Sequence, residues 1–181
     1  MKVIDNVIGD KYSEMIFEEC AKLPWTFVPD ISFGNQAKRS VPGFSHSFYL
    51  DKEFNNNEPV TIESEKYPLI KPVLLEAFDK LNLNINLQNV FRSRARLTLD
   101  RPELSESDRI DNIHVDYQIP HLVLIYYVNT VDGDTLVYEN DKIVERVSPK
   151  RGRCLLFDGS LQHTSTSPAL GPRIIINNNI R

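Results

Sequence analysis

The spacing of apolar residues along this chain changes once, near residue 83. Before that point the period is helical. In GDKYSEMIFEECAKLP, Tyr12, Met15, Ile16, Cys20 and Leu23 recur every three or four positions, which predicts an amphipathic helix with Asp10 as its N-cap and Pro24 as its stop. A short strand, MKVIDNVI, precedes it. YPLIKPVLLEAFDKLNL reads as a second helix, with Ile70, Val73, Leu74, Ala77, Phe78 and Leu81 on one stripe and Pro72 in its first turn. Residues 25–59 read as loops with short strands, one of them at FSHSFYL. From residue 83 the period is two. NINLQNVFRSRARLTL, HLVLIYYVNT, DTLVYEN, KIVERVSP, GRCLLFD and RIIINNNI all read as strands, separated by turn signals such as Asp132-Gly133-Asp134 and Asp158-Gly159-Ser160. Two helices followed by many short strands predict a mainly β protein, a sandwich or barrel supported by its N-terminal helices. Residues 1–181 read as a single domain, with 1–82 as helical and loop support and 83–181 as most of the barrel.

Polar residues interrupt this apolar pattern at two places. IHVDYQIPH puts His114, Asp116 and His121 at the start of what reads as a buried strand. Side chains at i and i+2 of a strand share a face, so His114 and Asp116 can converge on one point. Only four histidines exist, and His163 follows a strand-turn signal far downstream. Two histidines and one carboxylate are the donor set of the facial triad that leaves open positions on non-haem Fe(II). A His-Val-Asp triplet alone is common and carries little. His121 lies an odd number of positions from His114 and reads as a packing or surface residue, as does His46.

The second interruption is RIIINNNIR. Alternation groups Arg173, Ile175, Asn177 and Asn179 on one face and Ile174, Ile176, Asn178 and Ile180 on the other. The plain reading is an edge strand with a wet face. The other is a polar-lined cavity in which Arg173 grips a carboxylate in bidentate fashion. Arg92, Arg94 and Arg96 alternate likewise, either as a solvated or salt-bridged outer face or as cations pointing into a barrel mouth.

Taken in order, these segments resemble the Fe(II)- and 2-oxoglutarate-dependent dioxygenases, most closely the prolyl 4-hydroxylase-like branch, over roughly residues 90–181. HVD (His114 to Asp116) is similar to the family's first two iron ligands. IYYVN resembles the strand whose second tyrosine, here Tyr127, contacts the far carboxylate of 2-oxoglutarate. DGDT sits where the family has a Gly-rich turn before a strand lining the cosubstrate pocket, making Thr135 a cosubstrate-side candidate. GRCLLFDGSLQH ends in the distal iron ligand, His163, and Arg173 matches the basic residue that pairs with the cosubstrate; Asn177 and Asn179 accompany it. The resemblance implies a double-stranded β-helix, a jelly-roll barrel. It also implies Fe(II), 2-oxoglutarate and O2 as reactants, ascorbate as an optional reductant, and release of succinate and CO2. The presence of Asp116 favours hydroxylation or demethylation over halogenation. The chain departs from the branch in one respect: RARLTLDRPELSESDRIDN carries no tyrosine before the first ligand, where many prolyl hydroxylases place one against the metal end of 2-oxoglutarate.

Composition narrows the substrate only coarsely. Of 181 residues 41% are hydrophobic and 25% charged, with a net charge of −4 and a pI near 5.6. An acidic balance argues against a nucleic-acid surface, so a protein side chain, proline foremost, or a small molecule is the expected substrate. A nucleic-acid demethylase of the same chemistry and a non-catalytic jelly roll are the rivals. Cys20 and Cys154 lack zinc-site spacing and read as reduced core residues. With no signal-peptide pattern and no apolar run near the ~20 residues of a membrane span, a cytoplasmic protein is expected.

Overall fold

Strict alternation in the second half of the chain builds two antiparallel sheets, each using its residues in opposite directions on its two faces. The computed structural model describes residues 1–31, 40–56 and 58–181. In chain order its elements are β1 (Lys2–Ile4), α1 (Asp10–Cys20), β2 (Thr26–Val28), β3 (Gly43–Leu50), β4 (Ile62–Glu63), α2 (Tyr67–Lys80), β5 (Val90–Thr98), β6 (Leu122–Tyr127), β7 (Thr135–Glu139), β8 (Lys142–Val147), β9 (Cys154–Asp158), β10 (Gln162–Ser165) and β11 (Arg173–Ile180). The larger sheet runs β1-β9-β6-β11-β5-β3-β2, with β4 on β3, and the smaller runs β10-β7-β8. Isolated bridges Ile110↔Thr166 and His114↔His163 lay a further segment along β10. The result is the mainly β architecture expected from the alternation, in the jelly-roll form that the resemblance implies.

The larger sheet separates two cores. On its outer face Leu124, Tyr126, Cys154, Leu156, Ile174 and Ile176 meet the apolar stripes of α1 and α2, including Ile16, Cys20, Ile70, Val73, Leu74 and Phe78. On its inner face Val123, Ile125, Tyr127, Leu155, Phe157 and Ile175 meet Val137 of β7 and Val147 of β8 across the barrel. Both cysteines are free and buried, and burial pushes the Cys20 thiol up to about 12. Among the described residues no helix is long and apolar enough to cross a membrane.

The structure departs from the sequence reading in several places. Gly9, not Asp10, is the N-cap of α1. Helix α2 begins at Tyr67 with Pro68 in its first turn, so Pro72 lies inside the helix; the N–H it lacks would have met the carbonyl of Pro68, which is exposed to solvent. Residues 113–121 do not form a strand: only His114 makes a bridge, and β6 starts at Leu122. The strand β10, which carries His163, is one the sequence reading does not contain, because QHTS is short and polar. At Gly43, strands β3 and β5 approach so closely that a Cβ would sit 2.5 Å from the Leu97 carbonyl oxygen, so no larger residue fits there.

Candidate metal centre and cosubstrate pocket

His114 and His163 face each other across reciprocal backbone bonds, His114 N–H to His163 O at 3.0 Å and His163 N–H to His114 O at 2.9 Å. Their rings lie 4.6 Å apart. Asp116 follows in a bend, and its Oδ1 lies 3.9 Å from His114 Nε2. One ligand atom from each of His114, Asp116 and His163 lies within 4.8 Å of the others. Convergence thus comes from a cross-strand bridge and a bend, not from strand alternation along 113–121.

The surroundings prepare all three as metal donors. His114 Nδ1 lies 3.0 Å from the Asn112 carbonyl and His163 Nδ1 3.2 Å from that of Leu161. A carbonyl only accepts, so each Nδ1 carries the proton and each Nε2 keeps a free lone pair. Burial, reinforced by His163, lowers His114 to about 4, and burial lowers His163 as well. Burial alone would raise the Asp116 carboxyl, but the Arg92 guanidinium, His163 and a hydrogen bond from Asn179 hold it well below the usual carboxylate range. Two neutral imidazoles and one carboxylate therefore stand ready without proton loss.

Asp116 is held firmly. The side-chain amides of Asn177 and Asn179 donate to its Oδ2 at 3.0 and 2.8 Å, and Arg92 lies 3.0 Å from its Oδ1. The two asparagines expected beside the cosubstrate both reach Asp116, since the register of β11 sets them opposite Ile125 and Val123, and Asn177 also lines the cavity that holds Arg173. Arg92, Arg94 and Arg96 are not a solvated outer face: they share the barrel-side face of β5 with Thr98, next to Asn179, Asn177, Ile175 and Arg173 of β11.

Deeper in the same cavity, of about 540 Å³ including its open mouth, lie Arg173, Thr135, Asp111 and the triad. Arg173 is 3% exposed. Its Nη2 donates to Thr135 Oγ1 at 2.7 Å, and the Tyr127 hydroxyl donates to the same oxygen at 2.8 Å. Register with Ile175 places Tyr127 on the inner face; the irregular 113–121 segment makes any residue count from Asp116 meaningless. Thr135 accepts two hydrogen bonds and retains its own O–H to give. Arg173 Nε has no partner, and burial lowers the arginine from its ordinary range. Arg96 and Thr98 of β5 line the same cavity.

His121 is buried against Phe91 and Tyr117, away from the triad, and its ring fills the space where Gly159 has no side chain. His46 lies 3.0 Å from the Ser64 hydroxyl on the other side of the sheet. The segment 100–112 contributes Asp111, which accepts from Ser165 and Ser167 at 2.9 and 2.8 Å. Of 30–46, Ile31 lines the cavity, and residues 32–39 lie outside the described set.

No protein-family model and no curated protein matches the chain. Solved structures do. A 2OG-Fe(II) oxygenase family oxidoreductase from Burkholderia pseudomallei superposes with a TM-score of 0.67 at 12% identity, covering 96% of this chain and 80% of that one. The chain has the fold of the 2-oxoglutarate–Fe(II) oxygenases. A Pseudomonas putida prolyl-4-hydroxylase gives 0.60 at 12% identity over 99% and 91%. The α-ketoglutarate-dependent epimerase SnoN from nogalamycin biosynthesis gives 0.62 at 11% over 98% and 74%. The oxygenase fold is thus shared with proteins named for different substrates.

Proposed function

We propose that this chain is an Fe(II)- and 2-oxoglutarate-dependent oxygenase, with His114, Asp116 and His163 as the metal ligands. The observation that carries this reading is the pairing, in one cavity, of a metal-ready triad with a buried arginine that makes no ion pair among the described residues. A buried cation without a counter-charge is costly, and a dicarboxylate reaching from the metal to Arg173 would supply one. A non-catalytic jelly roll has no use for either. The Fe(II) would supply dioxygen activation coupled to conversion of 2-oxoglutarate into succinate and CO2.

The chain's own groups do the positioning. Arg173 pairs with the distal carboxylate, Thr135 gives it a hydroxyl, and Tyr127 orients Thr135. Asn177, Asn179 and Arg92 keep Asp116 ionised and aimed. Ile125 and Ile175 beside the cavity exclude water from the ligand between them. The substrate is a protein side chain or a small molecule, in keeping with neighbours named as a prolyl-4-hydroxylase and an epimerase. The test is anaerobic titration of 2-oxoglutarate into the Fe(II) protein, followed by the metal-to-ligand absorption band. The band is expected to appear in the parent and to vanish in His163→Ala; its absence from the parent would overturn the reading.

A further inference from the structure

The proposed cosubstrate site leaves part of the cationic row on β5 without a task. Arg92 is committed to Asp116 and stacks over Tyr117 at 4.8 Å. Arg96 lines the cavity wall. Arg94 lies between them on the same face, partly open to solvent. Its cross-strand neighbours are Asn177 of β11 and Ser47 of β3, side chains about 5 Å away at their Cβ atoms.

Arg94 makes no hydrogen bond or ion pair among the described residues, and its Nε is buried without a partner. No counter-charge can come from residues 32–39 or Asn57, which include no Asp or Glu. The carboxylate that acts on it is Asp116, which already receives Arg92 and two asparagine amides. Burial and then Arg96 and Arg92 push the Arg94 guanidinium well below its ordinary range; burial and Arg92, opposed by Asp116 and Asp30, bring Arg96 to about 10. A protein of net charge −4 has thus placed a second cation with no ion pair among the described residues, besides Arg173, close to Asp116. Holding a half-buried guanidinium without an anion is unfavourable, and that cost falls when an anion arrives.

We propose that the primary substrate carries an anionic group, a carboxylate or phosphate, and that Arg94, with Arg96 beside it, seats that group next to the metal and apart from the Arg173 clamp. This rests on the cosubstrate reading above. Arg94 neighbours Asn177, and Asn177 touches Asp116, so the anion is held one side chain from a metal ligand. The oxidised carbon then lies a few bonds from the anionic group. That geometry selects an acidic small molecule or an acidic side chain over a neutral prolyl ring, and the free hydroxyl of Ser47 adds a donor from β3.

The test loads the protein with Mn(II), saturates it with 2-oxoglutarate, and titrates inorganic phosphate while the ³¹P line is followed. Mn(II) broadens the line only when phosphate sits close to the metal. The parent is expected to broaden it at millimolar phosphate. Arg94→Gln is expected to weaken phosphate at least tenfold, about 1.4 kcal/mol, with 2-oxoglutarate affinity unchanged. Arg94→Lys, which keeps the charge, should fall between the two, and Arg151→Gln, at an exposed arginine, should match the parent. Absence of broadening in the parent, or equal broadening in Arg94→Gln, would overturn the proposal. Loss of 2-oxoglutarate affinity in Arg94→Gln would overturn it too, assigning the arginine to the cosubstrate. If 2-oxoglutarate fails to bind the parent at all, the cosubstrate reading fails first and takes this one with it. Circular dichroism of both Arg94 variants separates lost binding from lost folding.

Discussion

Strand β11 shows the molecule's two halves back to back. Ile174, Ile176 and Ile180 face α1 and α2, while Arg173, Asn177 and Asn179 face the cavity, all of them buried. The outward residues gain by leaving water, with about 25 cal/mol per Å² of apolar surface. The inward ones lose hydration and recover it only through particular partners. Even the one outward amide, Asn178, is tied down, donating to the Leu124 carbonyl at 3.0 Å. Stability therefore lives on the outer face and chemistry on the inner, and substitutions on the two faces should separate these properties.

The largest effect is expected on the outer face. Leu74→Ala, at a fully buried position of α2, should cost about 2–5 kcal/mol. Thermal unfolding would register roughly 2–4 °C per kcal/mol for a chain of this size, while metal affinity of the folded protein stays at the parent value. Arg173→Ala should do the reverse. It should raise the apparent constant for 2-oxoglutarate roughly 100-fold or more, since charged hydrogen bonds are each worth about 1.5–3 kcal/mol, and leave metal binding nearly intact. Asn179→Ala removes a donor from a metal ligand and should weaken the metal by about 10- to 100-fold, read by competition with a chelating dye. Tyr127→Phe keeps the ring and loses one hydrogen bond, so 2-oxoglutarate affinity should drop roughly tenfold.

The smallest effect lies on neither face. Asp5 is held at a pKa of about 2 by hydrogen bonds from Arg153 and Lys150, at 2.7 and 2.9 Å. Its native pKa is depressed, so its contribution is complete above the ordinary value of 3.8 and fades as pH falls towards 2. These groups are largely solvated, and Asp5→Asn should cost at most about 1 kcal/mol at neutral pH and almost nothing at pH 2. Urea titration at both pH values measures the difference.

The outer face was almost fully legible in the sequence. Burial against helices leaves a periodic trace, so Ile70, Val73 and Leu74 could be placed before any coordinates. The inner face was legible only where the residue types are chemically unusual, as with His114, Asp116, His163 and Arg173. Partners were not legible. Nothing local ties Arg92 to Asp116, or Asn177 and Asn179 to the same carboxylate, because these contacts come from register between strands far apart in the chain. The period-two rule also misled where polar loops imitate strands. IHVDY alternates like one, but its backbone pairs only at His114, and the four-residue strand through His163, QHTS, has no apolar residue to show the period.

The position of β11 bears on how the protein is made. It lies between β5 and β6, both of which leave the ribosome well before residues 173–180 do. Until then each presents an open strand edge flanked by apolar residues, the kind of edge that recruits other chains. Slow translation between the codons of β6 and those of β11 should therefore favour aggregation over soluble yield, and a holdase chaperone acting in that interval should matter more than one acting before β5 emerges.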